Sequence, residues 1–186
     1  MYKLLFSFLF LLSLTTYSQT KEETEQWIIS KLAKYAKEYD LTFKDNNGIP
    51  EGGVYQYNYK FYIEGVNIVA ECKIRNIKLA SLGSGGADKT ENEIEKAYIP
   101  ICEIIKLDIE ESSSSNSGKF LRILTNPKKV EIYRNGRLYY GGKLPAYHIP
   151  YDFDEEENLI QRFNKAFVRL KTFYPKPVKN KPKEAF

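Results

Sequence analysis

Asp154–Tyr174 reads DEEENLIQRFNKAFVRLKTFY. Its apolar residues fall at Leu159, Ile160, Phe163, Ala166, Phe167, Leu170, Phe173 and Tyr174. That is the i, i+3/i+4, i+7 spacing of one helix face, sustained over more than four turns. Asp152 or Asp154 is placed to cap the start, where a short carboxylate accepts hydrogen bonds from free N–H groups. Glu155, Glu156 and Glu157 suit the positive end of the helix dipole, Arg169 and Lys171 its negative end, and Pro175 stops the helix. A stripe with three phenylalanines must cover an apolar surface. The residues before it have strand character, so the helix is expected to pack on, or plug, a β-sheet.

Working back from the helix, Ala146 to Tyr151 reads as the strand that feeds it. Val130 to Tyr140 carries Asn135-Gly136, the preferred pair for a type I′ hairpin turn. In that register Arg134 faces Arg137 and Tyr133 faces Leu138. Val130, Ile132 and Tyr139 then share the core side, and Tyr133, Leu138 and Tyr140 the outer side beside Glu131. Phe120–Thr125 is a further strand, and Ser112–Gly118 (SSSSNSG) an exposed loop. Ala97–Glu110 gives two short strands broken near Pro100 to Glu103. Val54 to Arg75 alternates with period two about a reversal at Glu64-Gly65. This places Tyr55, Tyr57, Tyr59, Phe61 and Ile63 on one face and predicts a hairpin with one buried side. Ile77 to Glu95 reads as a long connection with a helical turn near Glu91–Lys96, and Asp40 to Gly53, rich in turn formers, as a loop. Thr20-Lys21-Glu22-Glu23 is a capping box opening a helix to about Tyr39.

The ends are of a different kind. Lys3 followed by the 11-residue run Leu4–Leu14 and by Thr16-Tyr17-Ser18 has the layout of a secretory signal peptide cleaved before Gln19. The run is shorter than a membrane-spanning helix needs. The chain is expected to be exported, periplasmic or extracellular, with no transmembrane span after cleavage. Pro175–Phe186 (PKPVKNKPKEAF) has the composition of a disordered basic tail. Four lysines and one glutamate give it a net charge of +3, against +4 for all 186 residues, one of which comes from Lys3. The body between is neutral, so nucleic acid is not an expected partner. The expected organisation is a signal peptide over 1–18, a single α+β domain over 19–174 and the tail over 175–186. Within the domain the N-terminal helix spans about 20–39, the sheet about 54–151 and the C-terminal helix about 154–174. The fold class is seven or eight antiparallel strands in a bent sheet or partial barrel, capped by the long C-terminal amphipathic helix.

IPICEIIKLDIE (99–110), KFLRILT (119–125), KVEIYRNGRLYY (129–140) and YHIPYDF (147–153), followed by the amphipathic helix, resemble in layout the pleckstrin-homology/GRAM-like superfold. The likeness spans roughly 54–174 and implies a strongly bent sheet with one open end capped by the helix. TKEETEQWIISKL (20–32) and RFNKAFVRLKTFYPK (162–176) are similar to a group of uncharacterised exported Bacteroidota proteins. Members of the pleckstrin-homology-like superfold that bind inositol lipids carry a longer, basic loop between the first two strands. Here that loop is Glu64-Gly65, so such lipids are not implied.

Little in the chain spells out catalysis. Cys72 and Cys102 are the two cysteines. They are either bridged, closing a loop of about 30 residues worth roughly 3–4 kcal/mol in the chain-entropy model, or buried free thiols. With one histidine they do not fill an ordinary structural zinc site. His148 is expected to face away from the core, with no nucleophile or carboxylate assigned to it by sequence. There is no GxSxG or HExxH, and Gly83-Ser84-Gly85-Gly86 lacks the ending of a phosphate loop. The carboxylates at Glu91, Glu93 and Glu95 and at Asp152–Glu157 lack the spacing of a calcium loop. No cofactor or metal is expected. The 15 tyrosines and 11 phenylalanines stand out, and the outward set Tyr133, Leu138 and Tyr140 is the candidate binding surface. The reading is a non-catalytic binding or accessory module of the cell envelope, its partner an envelope protein, peptide or glycan. The alternative is a small hydrolase of an envelope polymer that uses paired carboxylates.

Overall fold

The computed structural model describes residues 19–44, 50–78, 89–111, 119–126, 129–139, 143–151 and 156–176. The expected signal peptide, the tail beyond Lys176, Gly83–Gly86 and Ser112–Gly118 lie outside them. The described residues form an antiparallel α+β domain of two helices and nine strands in two sheets, with no closed barrel. Helix α1 (Lys21–Tyr35) is followed by β1 (Tyr39–Lys44), β2 (Pro50–Glu64), β3 (Asn67–Lys78) and β4 (Lys89–Pro100). A 3₁₀ turn (Ile101–Glu103) leads into β5 (Ile104–Glu111), β6 (Lys119–Thr125), β7 (Glu131–Arg134), β8 (Arg137–Leu138), β9 (Ala146–Pro150) and helix α2 (Leu159–Phe173). One sheet has the order β1-β2-β3-β4-β7-β8 and the other β5-β6-β9.

Apolar residues from both sheets and both helices make one core. Ile68, Ala70, Ala97 and Ile99 come from the large sheet, Leu107, Leu121, Ile123 and Ile149 from the small one. Ile28 and Leu32 of α1 and Leu159, Phe163, Phe167 and Leu170 of α2 close over them. The expected α2 stripe is therefore buried. Its start is corrected: the helix begins at Leu159, behind Asn158 at φ +60°, with no side-chain cap and no acid in the first turn. Asp152, Asp154 and Glu155 lie outside the described residues. Glu156 acts across the fold instead, accepting from Lys31 Nζ at 2.7 Å and from the Tyr35 hydroxyl at 2.7 Å. The Lys31 ammonium first, and Tyr35 second, hold its carboxyl down at about 2. A depressed folded-state pKa stabilises above the ordinary value of 4.5 and loses that stabilisation as pH falls towards 2. Glu156→Gln is expected to lower the melting temperature at pH 7, with the gap to wild type narrowing between about pH 4.5 and 2; a gap constant with pH would break the assignment.

The capping box on α1 is present, with Thr20 Oγ accepting from Glu23 N–H at 3.1 Å and Glu23 accepting from Thr20 N–H at 2.8 Å. The helix ends at Tyr35 rather than near Tyr39, because Ala36 and Lys37 turn to pair beside Tyr151 and Pro150. At the small sheet's edge, the Asn164 carboxamide donates to Leu107 O at 2.9 Å and accepts from Leu107 N–H at 2.7 Å. It occupies the place a neighbouring strand would take. Asn164→Ala strips both groups of their partner and is expected to cost about 1–3 kcal/mol in urea unfolding; a change below a few tenths would mean that water replaces the amide freely.

Four further sequence readings are corrected. Most of Asp40–Gly53, expected as a loop, is β1 and the start of β2. A Cβ on Gly52 would stand 2.3 Å from Ile77 O, so this glycine marks close strand approach rather than a turn. Residues 89–96, expected within a connection with a helical turn, are strand, paired without a break from Lys78–Lys89 to Asn67–Pro100. The first hairpin reverses at Gly65-Val66, one residue later than expected, with Gly65 at φ +58° between the paired Glu64 and Asn67. Asn58, at φ +55°, is an extra residue in β2, and the register shifts there. The bulge divides the tyrosine row expected on the core side. Tyr59, Phe61 and Ile63 face the core, whereas Tyr55 and Tyr57 lie opposite Arg75 and Lys73 on the other face.

Candidate functional site

Alternation along β4 turns Glu95, Ala97 and Ile99 inward and Ile94, Lys96 and Tyr98 outward. Pairing with β7 sets Glu131 opposite Tyr98 and Tyr133 opposite Lys96. The type I′ turn falls at Asn135-Gly136 as expected, both at positive φ, and Asn135 both donates to Ile94 O and accepts from Ile94 N–H. With the 3₁₀ turn at one end and this turn at the other, the outer face becomes a cleft of about 920 Å³. Tyr98 and Tyr133 meet edge to face, centroids 5.6 Å apart at 85°. Val69, between Tyr62 and Tyr98 in register, is fully buried although it belongs to this outer face.

Charged side chains surround that aromatic floor, most of them paired. Lys143 meets Glu131 at 2.5 Å, and the Tyr133 hydroxyl donates to the same carboxylate at 3.1 Å. Lys176 meets Glu103 at 2.9 Å, with the Asn126 amide also bonded to Glu103. Lys96 meets Glu71 at 3.1 Å. The Lys143 ammonium holds the Glu131 carboxyl below the usual range, and Lys176 does the same for Glu103. Both stay ionised at neutral pH, the reverse of what a general acid requires. Lys129 is exposed beside Glu103, and no ion pair fixes its ammonium among the described residues.

Of the outward set expected from sequence, Tyr133 lines the cleft and Leu138, its cross-strand partner, stands exposed beside it. Tyr140 lies outside the described residues. Tyr98, Lys96, Lys129 and Lys143 were not singled out from the sequence. The alternation Ile94/Lys96/Tyr98 against Glu95/Ala97/Ile99 is the signal that exposes them, and it was hidden by reading 89–96 as a connection.

Both cysteines are free thiols, so the bridged alternative is not formed. Asn67 pairs with Pro100, which puts Cys72 five residues along β3 from the turn that holds Cys102, about 16 Å away. A disulfide needs Cα atoms within about 7 Å. Cys102 lines the cleft. Cys72 is buried on the core side, and burial, then the nearby Glu95 charge, pushes its thiol up to about 12. Glu95 is itself buried, salt-bridged to Arg134 at 2.9 Å and accepting from the Tyr147 hydroxyl at 3.4 Å.

His148 faces outward, on the small sheet, and the structure supplies a carboxylate the sequence did not. Its Nε2 lies 2.9 Å from Glu110. Arg122 bonds Asp108 with two nitrogens, at 2.9 and 3.0 Å, and Glu110 with a third at 3.1 Å. Asp108 and Glu110, two residues apart on one strand face, are separated by about 7 Å. That spacing is compatible with a glycosidase pair. The guanidinium between them, with Lys106, instead holds Asp108 low, and the group lies on an open sheet face. It is a salt-bridge ladder. No group of three or more metal-binding side chains occurs among the described residues, and none of their helices is long and apolar enough to cross a membrane. Comparison with family models, with curated proteins and with solved structures found no match.

Proposed function

We propose that this chain is an exported, non-catalytic binding module of the cell envelope, and that the Tyr98/Tyr133 cleft is where it binds. The observation that carries the reading is the cleft itself, an aromatic floor ringed by side chains that ion pairs hold in place. Binding sites have this composition: an apolar surface with a few fixed polar groups around it. The two carboxylates among its described lining residues are neutralised by lysines, which favours holding a ligand over cleaving one. Export rests on the pattern of 1–18, and a mature protein beginning at Gln19 by mass measurement would support it. The order of antiparallel strands ending in a helix that covers the core supports a pleckstrin-homology-like layout, and the stretches 20–32 and 162–176 support the likeness to exported Bacteroidota proteins.

The test immobilises residues 19–186 and the Tyr98→Ala/Tyr133→Ala variant and exposes both to solubilised envelope. The expected outcome is a component retained by the wild type and at least about tenfold less by the variant, since central aromatic residues dominate such contacts. Equal retention would place binding elsewhere. Time-dependent release of cleaved polymer by the wild type would favour the hydrolase alternative.

A further inference from the structure

Resting on that binding reading, we propose that the cleft takes an acidic oligosaccharide, a chain of sugar rings bearing a carboxylate such as a uronate. The argument begins with charge. Among the described residues Lys96, Lys129 and Lys143 line the cleft, and Lys176 reaches its edge through Glu103. Glu71, Glu131 and Glu103 neutralise three of them, at 3.1, 2.5 and 2.9 Å. Lys129 remains, so the described residues give the site one uncompensated positive charge. Such a site matches a single carboxylate per binding unit. A phosphate-rich polymer would call for several unpaired cations or arginine forks. The arginine of β7, Arg134, points to the opposite face and is committed to Glu95.

The floor argues for sugar over peptide. A pyranose ring has one face of C–H bonds and a rim of hydroxyls. Its C–H face suits the electron-rich face of a tyrosine ring, and edge-to-face packing holds Tyr98 and Tyr133 in fixed relation. The rim hydroxyls both donate and accept. Asn67, Asn135, Glu131 and Lys143 surround the floor with both kinds of group. An extended peptide would instead add to an open strand edge. Here β4 and β7 are paired with each other across the floor, and Asn135 already occupies the N–H and C=O of Ile94 where that pairing ends. The volume of about 920 Å³ lies within the range of small-ligand sites. Lys129 and Lys143 flank the bridge between Val130 and Leu144, so the carboxylate lies at that end.

Calorimetric titration of residues 19–186 tests this with three probes: tetragalacturonate, the neutral cellotetraose and a glutamate-rich decapeptide. The uronate is expected to bind about 5- to 10-fold more tightly than the neutral sugar. Lys129→Met should reduce uronate binding to the neutral level and leave cellotetraose unchanged, while Tyr133→Ala weakens both sugars. Lys129 and Tyr133 lie outside the core, so an unchanged melting temperature certifies each variant as folded. No uronate binding by folded wild type, equal affinity for both sugars, or indifference to Lys129→Met overturns the proposal. Tighter binding of the peptide than of the uronate also overturns it, yet leaves the cleft as a binding site. Retention of an envelope component lost in the Tyr98/Tyr133 variant, without uronate binding, likewise sinks the sugar class and spares the binding reading.

Discussion

Phe163→Ala is expected to lower stability by about 3–5 kcal/mol and the melting temperature by roughly 6–20 °C. Phe163 is fully buried at the centre of the α2 stripe. Trp27 of α1 meets its ring edge-on at 5.2 Å, and Phe167 stacks at 6.1 Å. Removing the ring loses its transfer free energy and leaves a cavity between two helices that pack on each other, on β2 and on β5. Both helices lean on that ring, so collapse of the cavity would have to shift α1 and α2 together. Phe163→Leu fills most of the space and should cost less than half as much. Urea unfolding of the two variants decides the matter: an alanine cost under about 1 kcal/mol would mean that α2 is not the cover of the core.

Arg134→Ala, with Glu95 left in place, is expected to cost about 3–5 kcal/mol. The Glu95 side chain is 5% exposed, and Arg134 supplies its countercharge at 2.9 Å, with the guanidinium lying 3.6 Å over the Tyr139 ring. Deleting the arginine strands a carboxylate in the space shared with Tyr147, Tyr59 and Cys72, where burial already pushes the tyrosine hydroxyls and the thiol up. Leaving the charge uncompensated is what makes the single change costly. Glu95→Leu/Arg134→Leu should therefore recover much of the loss, and the double-mutant cycle should give a coupling well above the ~0.5 kcal/mol of independent sites. Additive single changes would show that the pair is not coupled.

What the sequence made legible was local. The α2 stripe, the Thr20–Glu23 capping box, the Asn135-Gly136 turn and the outward position of Tyr133 each follow from spacing within a single element or turn. The structure keeps all four. What it concealed were places where composition and conformation disagree. Gly52 and Gly53 look like a turn but serve a strand, and at Gly52 the neighbouring strand comes too close for a side chain. Glu91, Glu93 and Glu95 look like a solvated connection. They are strand residues, Glu93 being bonded by Asn76 and Glu95 by Arg134, partners far along the chain. One left-handed residue, Asn58, turned Tyr55 and Tyr57 to the opposite face, which no period-two count could register. The cleft was hidden for a related reason. Tyr98 and Tyr133 meet only because β4 pairs with β7 while β5 and β6 go to the other sheet. Periodicity gives each strand its faces without giving it a neighbour.

Cys102 offers the most direct test of the cleft as the binding site. It lines the cleft and is half-buried, whereas Cys72 is buried with its thiol pushed up to about 12, so a maleimide should label Cys102 alone in the folded chain. The measurement is the rate of that labelling with and without the envelope component retained by the immobilised protein. A ligand in the cleft should slow it in proportion to occupancy, and protein labelled beforehand should no longer retain the component. Labelling at full speed while the component is bound, together with undiminished retention by labelled protein, would contradict the assignment of the cleft.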